Sequence, residues 1–194
     1  NMNGHMGLNN NWDVHLGGTL ARLTPSYCDR CTRGGPTLRQ SRGFFPWGGI
    51  NTDSRRTVYG GMWVNLRFFD EGQSRGTSLS PYINLRVSTR LQAGLQLNHS
   101  TDHDNTQWYG NFQDAAGQTH YTFAHLDQRT VSMSTRINYT ATPTLTFEFY
   151  GEPFTATGRY SDVRETSDTP GADAYDDRFR PFVAPAESET SFRY

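Results

Sequence analysis

Cys28 and Cys31 enclose a short polar run, Cys28-Asp29-Arg30-Cys31. A lone C-x-x-C supplies two of the four ligands a structural zinc needs, and the chain has no second pair. Thioredoxin-type redox work calls for a strand–helix–strand setting that the neighbouring residues do not form. In an oxidising compartment the two thiols would instead close a disulfide inside one loop, and that local staple is the expectation. A second group joins His99, Asp102, His103 and Asp104 to His120, His125 and Asp127. Carboxylates beside imidazoles can activate water or ligate a divalent cation. Polar loops also collect Asn, Asp and His simply because they face water. No motif fixes a nucleophile or a ligand set, so no catalytic residue, metal or cofactor is assigned, and the balance is against an enzyme. A third set, Asn65, Arg67, Arg86, Arg136 and Glu148, sits where strands are expected and would line a polar interior. Tyr175-Asp176-Asp177-Arg178 reads as a solvated acidic loop.

The element best able to position such groups is Thr130 to Gly151. Val131, Met133, Thr135, Ile137 and Tyr139 alternate with Ser132, Ser134, Arg136 and Asn138. Beyond the turn, Leu145, Phe147 and Phe149 alternate with Thr146, Glu148 and Tyr150. Strand side chains alternate between faces, so this is a β-hairpin with one apolar and one polar side. A pairing centred on Thr142 would set Ile137 opposite Phe147, Tyr139 opposite Leu145 and Arg136 opposite Glu148. Similar alternation predicts strands over Met2 to Leu8, Trp12 to Leu20, Trp47 to Thr52, Val58 to Phe68, Leu79 to Val87 and Leu91 to Asn98. With the hairpin these make about eight strands, and Phe192 and Tyr194 would start a ninth. A hairpin over Trp108 to Phe123 would project beyond the sheet. Long loops are expected at about 24–46, 99–120 and 158–190.

Composition narrows the class. The chain has 194 residues, is 34% hydrophobic and 13% aromatic, and carries a formal net charge of −1. Its mean hydropathy of −0.74 is lean for a sealed core. The near-neutral charge argues against a nucleic-acid groove. No apolar run approaches the roughly 20 residues of a transmembrane helix, yet transmembrane strands need only about 9–11 residues, half of them polar. Connection lengths alternate between short and long, which in an up-and-down sheet gathers the tight turns at one end. Outer-membrane barrels show that asymmetry, whereas sandwiches do not. The fold expected is therefore all-β: an antiparallel, up-and-down transmembrane β-barrel in the bacterial outer membrane, in contact with its lipid. Both ends of the chain would fall on the long-loop side, so the chain is expected to be one partial barrel, a fragment of a larger one. The amphipathic rings of Trp12, Trp47, Trp63, Tyr139 and Phe149 would suit interfacial girdles, although Trp63 has the polar parity.

Three stretches carry a family resemblance: Arg33-Gly34-Gly35-Pro36, Asn51-Thr52-Asp53-Ser54-Arg55-Arg56, and His120 to Tyr160. They resemble the C-terminal outer-membrane barrel of a bacterial family of unknown function, whose members carry an N-terminal carbohydrate-binding module of the family-nine type. The resemblance spans nearly the whole chain and lacks that module. It implies an anchor or transport channel in a surface system handling glycans, and it brings no catalytic residues. Two readings from other classes stand beside it. One is a barrel hydrolase with a His/Asp site at the extracellular loop rim. The other is a soluble β-sandwich binding module, which would pack its apolar faces inside.

Overall fold

The computed structural model describes residues 1–186 and 188–194. The architecture is all-β. In chain order the strands are β1 (Met2–Gly7), β2 (Asp13–Ala21), β3 (Ser26–Cys28), β4 (Leu38–Gln40), β5 (Gly43–Asn51), β6 (Val58–Phe69), β7 (Ser74–Arg86), β8 (Leu91–Gln113), β9 (Thr119–Thr142), β10 (Leu145–Gly151), β11 (Phe154–Thr166), β12 (Phe179–Pro181) and β13 (Ser191–Arg193). Short 3-10 turns occupy Asp70–Gly72 and Asp176–Arg178.

One 11-stranded antiparallel sheet runs β1-β2-β5-β6-β7-β8-β9-β11-β12, with β10 paired to β9 and β13 to β11; β3 and β4 form a separate ribbon. Strands β10 and β11 lie end to end along β9, so together they are the eighth long strand. The interruption falls at Pro153, whose ring nitrogen has no hydrogen to donate; its carbonyl still accepts from Met133 N at 3.0 Å. The sheet is open: among the described residues, β1 and β10 are not bonded to each other.

Two expectations change in detail. The long loop at 99–120 is not a loop, since β8 and β9 are 23 and 24 residues long and continue as one ribbon to a tight turn at 114–118. Likewise 154–166 is strand, and the loop at 24–46 holds β3, β4 and the start of β5. The organising hairpin is slipped by two residues from the expected pairing. Phe147 faces Tyr139, Phe149 faces Ile137, Glu148 faces Asn138 and Arg136 faces Tyr150, because the ladder is irregular between Leu145 and Thr146. A two-residue slip keeps every side chain on its expected face. Arg136 gains the ring of Tyr150, 5.6 Å away, in place of the Glu148 carboxylate.

Cross-strand registers assemble one continuous apolar face. Its rows include Ile50 with Met62, Val64 with Leu79, Ile83 with Leu95, and Ala93 with Ile137 and then Phe149. Among the described residues no second sheet covers it, and Leu95 and Phe147 are 37% and 57% exposed. The other face is polar, with Asn65, Arg67, Arg86, Arg136 and Glu148 all upon it. Trp47 and Trp63 lie on this polar face as well, which removes them from any girdle on the apolar side. Their indoles lie over Gly17 and Gly49, where an added Cβ would come within 2.3 and 2.5 Å of ring atoms.

The true core is small and lies at the end where the long loops gather. Leu38, Phe123, Tyr175 and Phe179 bury one another, with Cys31 and Trp108 packed against them. Tyr175 and Arg178 are 1% and 2% exposed, so the expected acidic surface loop is instead the centre of a cap.

Candidate functional site

Above the apolar band the same face of the sheet turns polar. Going up β8, Leu95, Leu97 and His99 give way to Thr101, His103 and Asn105; going up β9 in the same direction, Val131 gives way to Arg129, Asp127 and His125. Registers then form one row from Arg75 through His103 and Asp127 to Arg159. An open groove of about 490 Å³ crosses the four strands here, walled by Arg75, Arg129 and Arg159 together with His103 and Asp127.

Three of the sequence-selected residues meet at this level. His103 Nδ1 lies 2.5 Å from Asp127 Oδ1, and His125 Nε2 lies 3.1 Å from His103 Nδ1 and 3.4 Å from Asp127 Oδ1. The rings stand edge to face with centroids 3.9 Å apart. Cross-strand pairing explains the first contact, because His103 and Asp127 are direct partners; His125 follows two residues along β9 on the same face. Burial works against ionisation of Asp127, yet the hydrogen bond and charge of His103, with His125 beside it, hold its carboxyl below the usual range. A carboxylate-paired imidazole can take a proton from water, and three such atoms can also chelate.

The other members of the expected cluster go elsewhere. Asp102 points to the polar face and pairs with Arg67. His99 accepts from Arg129 Nε at 3.0 Å, at the upper edge of the apolar band. Asp104 takes the Thr106 N–H at 2.8 Å, and burial raises its carboxyl.

His120 binds Glu165 across β9 and β11, and Arg180 Nε donates to the same carboxylate at 2.8 Å. The bond to Glu165 raises the His120 imidazole above its ordinary 6.5, although burial opposes the shift. A raised folded value means that stability from this pair is complete below about pH 6.5 and is lost as pH climbs through the folded value. Wild type should therefore melt above His120→Gln most clearly near pH 6, with the gap closing toward pH 9. A gap that widens with pH would reverse the assignment.

Cys28 and Cys31 are joined, with Cα atoms 5.6 Å apart, and the bridge packs beneath the cap core. The Arg-Gly-Gly-Pro run following it has a structural reason. The Arg33 guanidinium lies 3.6 Å from the Trp108 ring centroid, and Asn111 Nδ2 donates to the Thr32 and Arg33 carbonyls. Gly34 adopts φ +108°, and Gly35 sits against Tyr121, where a Cβ would come within 2.5 Å of the ring. The run thus docks the stapled loop on the β8–β9 ribbon.

Residues missed from the sequence are those of the cap. Arg178 Nε donates to Ala172 O at 2.8 Å, Nη1 to Ser41 Oγ at 2.8 Å and to Arg39 O at 3.2 Å, and Nη2 to Asp173 O. Tyr175 OH donates to Asn105 O at 2.7 Å. The sequence could have signalled only that Arg178 stands between aromatics, in Tyr175 to Phe179.

No protein-family model, no curated protein and no solved structure matches this chain.

Proposed function

We propose that this chain forms part of the wall of a bacterial outer-membrane β-barrel, serving as an anchor or transport channel. The observation that carries the reading is the continuous, uncovered apolar face. A soluble protein rarely leaves so extensive an apolar patch open to water. Along β8 the band covers Leu91 to His99, close to the about 9–11 residues a transmembrane strand requires. Tyr139 and Phe147 lie on the apolar face toward its tight-turn end, where amphipathic and aromatic rings favour the headgroup level. At the opposite margin, Arg75, Arg129 and Arg159 lie where anionic headgroups would meet them. In this reading the polar face lines an aqueous interior, and other strands meet the open edges at β1 and β10. The resemblance noted above is the support for assigning the barrel to a surface system for glycans, in which a separate carbohydrate-binding module would make the sugar contacts.

Expressed with an export signal in a Gram-negative host, the protein should fractionate with the outer membrane. It should need detergent for extraction and show heat-modifiable gel migration. Recovery as a monomer from the aqueous fraction would defeat the proposal.

A further inference from the structure

We propose that His103, His125 and Asp127 form a zinc-type transition-metal site on the outer face of the β8–β9 ribbon. The three atoms named above, two imidazole nitrogens and a carboxylate oxygen, are 2.5 to 3.4 Å apart. Around a tetrahedral zinc, with bonds of about 2.0–2.2 Å, ligand atoms lie roughly 3.3 Å from one another. Two of the three separations already fit. The third opens by rotation of Asp127, whose side chain is 59% exposed and free to turn.

What lifts this set above a cross-strand hydrogen bond is the support behind His125. Its Nδ1 meets Asn105 Oδ1 at 3.0 Å. The Asn105 amide cannot be reversed without loss, because its Nδ2 donates to Gln73 Oε1 at 2.7 Å. Asn105 therefore accepts the Nδ1 proton and leaves Nε2 as a lone pair aimed at the other two ligand atoms. A second partner that fixes the tautomer and ring plane is the usual companion of a metal-bound histidine. Asn105 is itself buried and held at its main chain: its N–H donates to Ser74 Oγ at 2.8 Å, and its carbonyl accepts from Tyr175 and Arg164. The cap thus makes His125 the rigid member and Asp127 the adjustable one.

Ligand type and surroundings select the ion. Two imidazoles and one carboxylate suit zinc and its neighbours, whereas calcium and magnesium want oxygen. Arg75 and Arg159, the cross-strand neighbours of His103 and Asp127, further disfavour a hard cation held mainly by charge. Three protein ligands leave the fourth position open toward the groove, where those guanidiniums would favour an anionic or hydroxide ligand.

The test is zinc titration of the whole detergent-solubilised chain against a chromophoric chelator, with magnesium and calcium in parallel. One zinc per chain is expected, with no binding of the other two. His125→Ala and Asp127→Asn should each abolish tight binding. Asn105→Leu, which leaves all three ligands in place, should weaken it roughly 10–100-fold. Circular dichroism of each variant checks the fold, and cobalt substitution should give visible d–d absorption that His125→Ala abolishes. No zinc uptake by wild type would overturn the proposal, as would uptake that survives His125→Ala. Loss on changing the stacked pair His5 and His15 instead would also overturn it.

Discussion

Arg178→Ala should unfold the cap and cost about 3–5 kcal/mol, the largest loss expected from any single truncation outside the apolar band. The guanidinium is almost fully buried, and its donors end on Ala172, Asp173, Arg39 and Ser41. Those partners come from two segments far apart in sequence, so one side chain ties 39–41 to 172–178. Each acceptor left dry and unpaired costs roughly 1–3 kcal/mol, and water entering the space recovers part of that. Burial lowers the Arg178 pKa, yet a guanidinium stays charged far above neutral pH. Arg178→Lys should rescue little, because one ammonium cannot span the fork of acceptors that the planar group reaches. Limited proteolysis reads the effect directly: cleavage within 24–42 and 167–178 should rise sharply in the alanine variant while the strands below remain protected. A change under about 1 kcal/mol would mean that the cap is held by its aromatics alone.

The contrast between cap and band also explains what could be read from sequence. Along Leu91 to Asn98 and Val131 to Tyr139, one face carries apolar side chains and the other polar ones, so the period-two signal is strong. Above His99 that difference disappears. Thr101, His103 and Asn105 on one side are as polar as Asp102 and Asp104 on the other, and the strand reads as loop. The same holds for β11, where Arg159, Ser161 and Asp162 hide a continuing ladder. Hairpin parity was legible because a slip by two residues leaves faces unchanged; the register was not, since it depended on an irregularity beside Leu145. Candidate ligands could be named as residue types. Which of them meet is set by the β8–β9 register, which brings His103 to Asp127 and sends Asp102 to Arg67. Tyr175 reaches Asn105, 70 positions away, and Arg178 ties its own loop to Arg39, 139 positions away; no local pattern carries that information.

Leu95→Arg separates the membrane reading from a soluble one by the size of its effect. Leu95 sits midway along the band on β8, between Ile83 and Thr135, and is already 37% exposed. If water bathes this face, a longer charged side chain replaces an exposed leucine with little consequence, within about 0.5 kcal/mol, and improves solubility. If hydrocarbon bathes it, an arginine at mid-depth costs about 2–4 kcal/mol, and the cost fades toward either margin of the band. The matched control is Gln96→Arg, one residue along on the polar face and opposite Ser134, where an aqueous interior should accept the charge. Moving the arginine from Leu95 to Leu97 and then to the His99 position should trace a falling penalty as the side chain nears Arg129 and, beyond it, the row of Arg75 and Arg159. Reversible unfolding from lipid vesicles measures the series. A flat profile, with Leu95→Arg as harmless as Gln96→Arg, would remove lipid from the apolar face and the barrel with it. A peak at Leu95 would fix the depth of the bilayer on the strands, leaving His103, His125 and Asp127 just outside it.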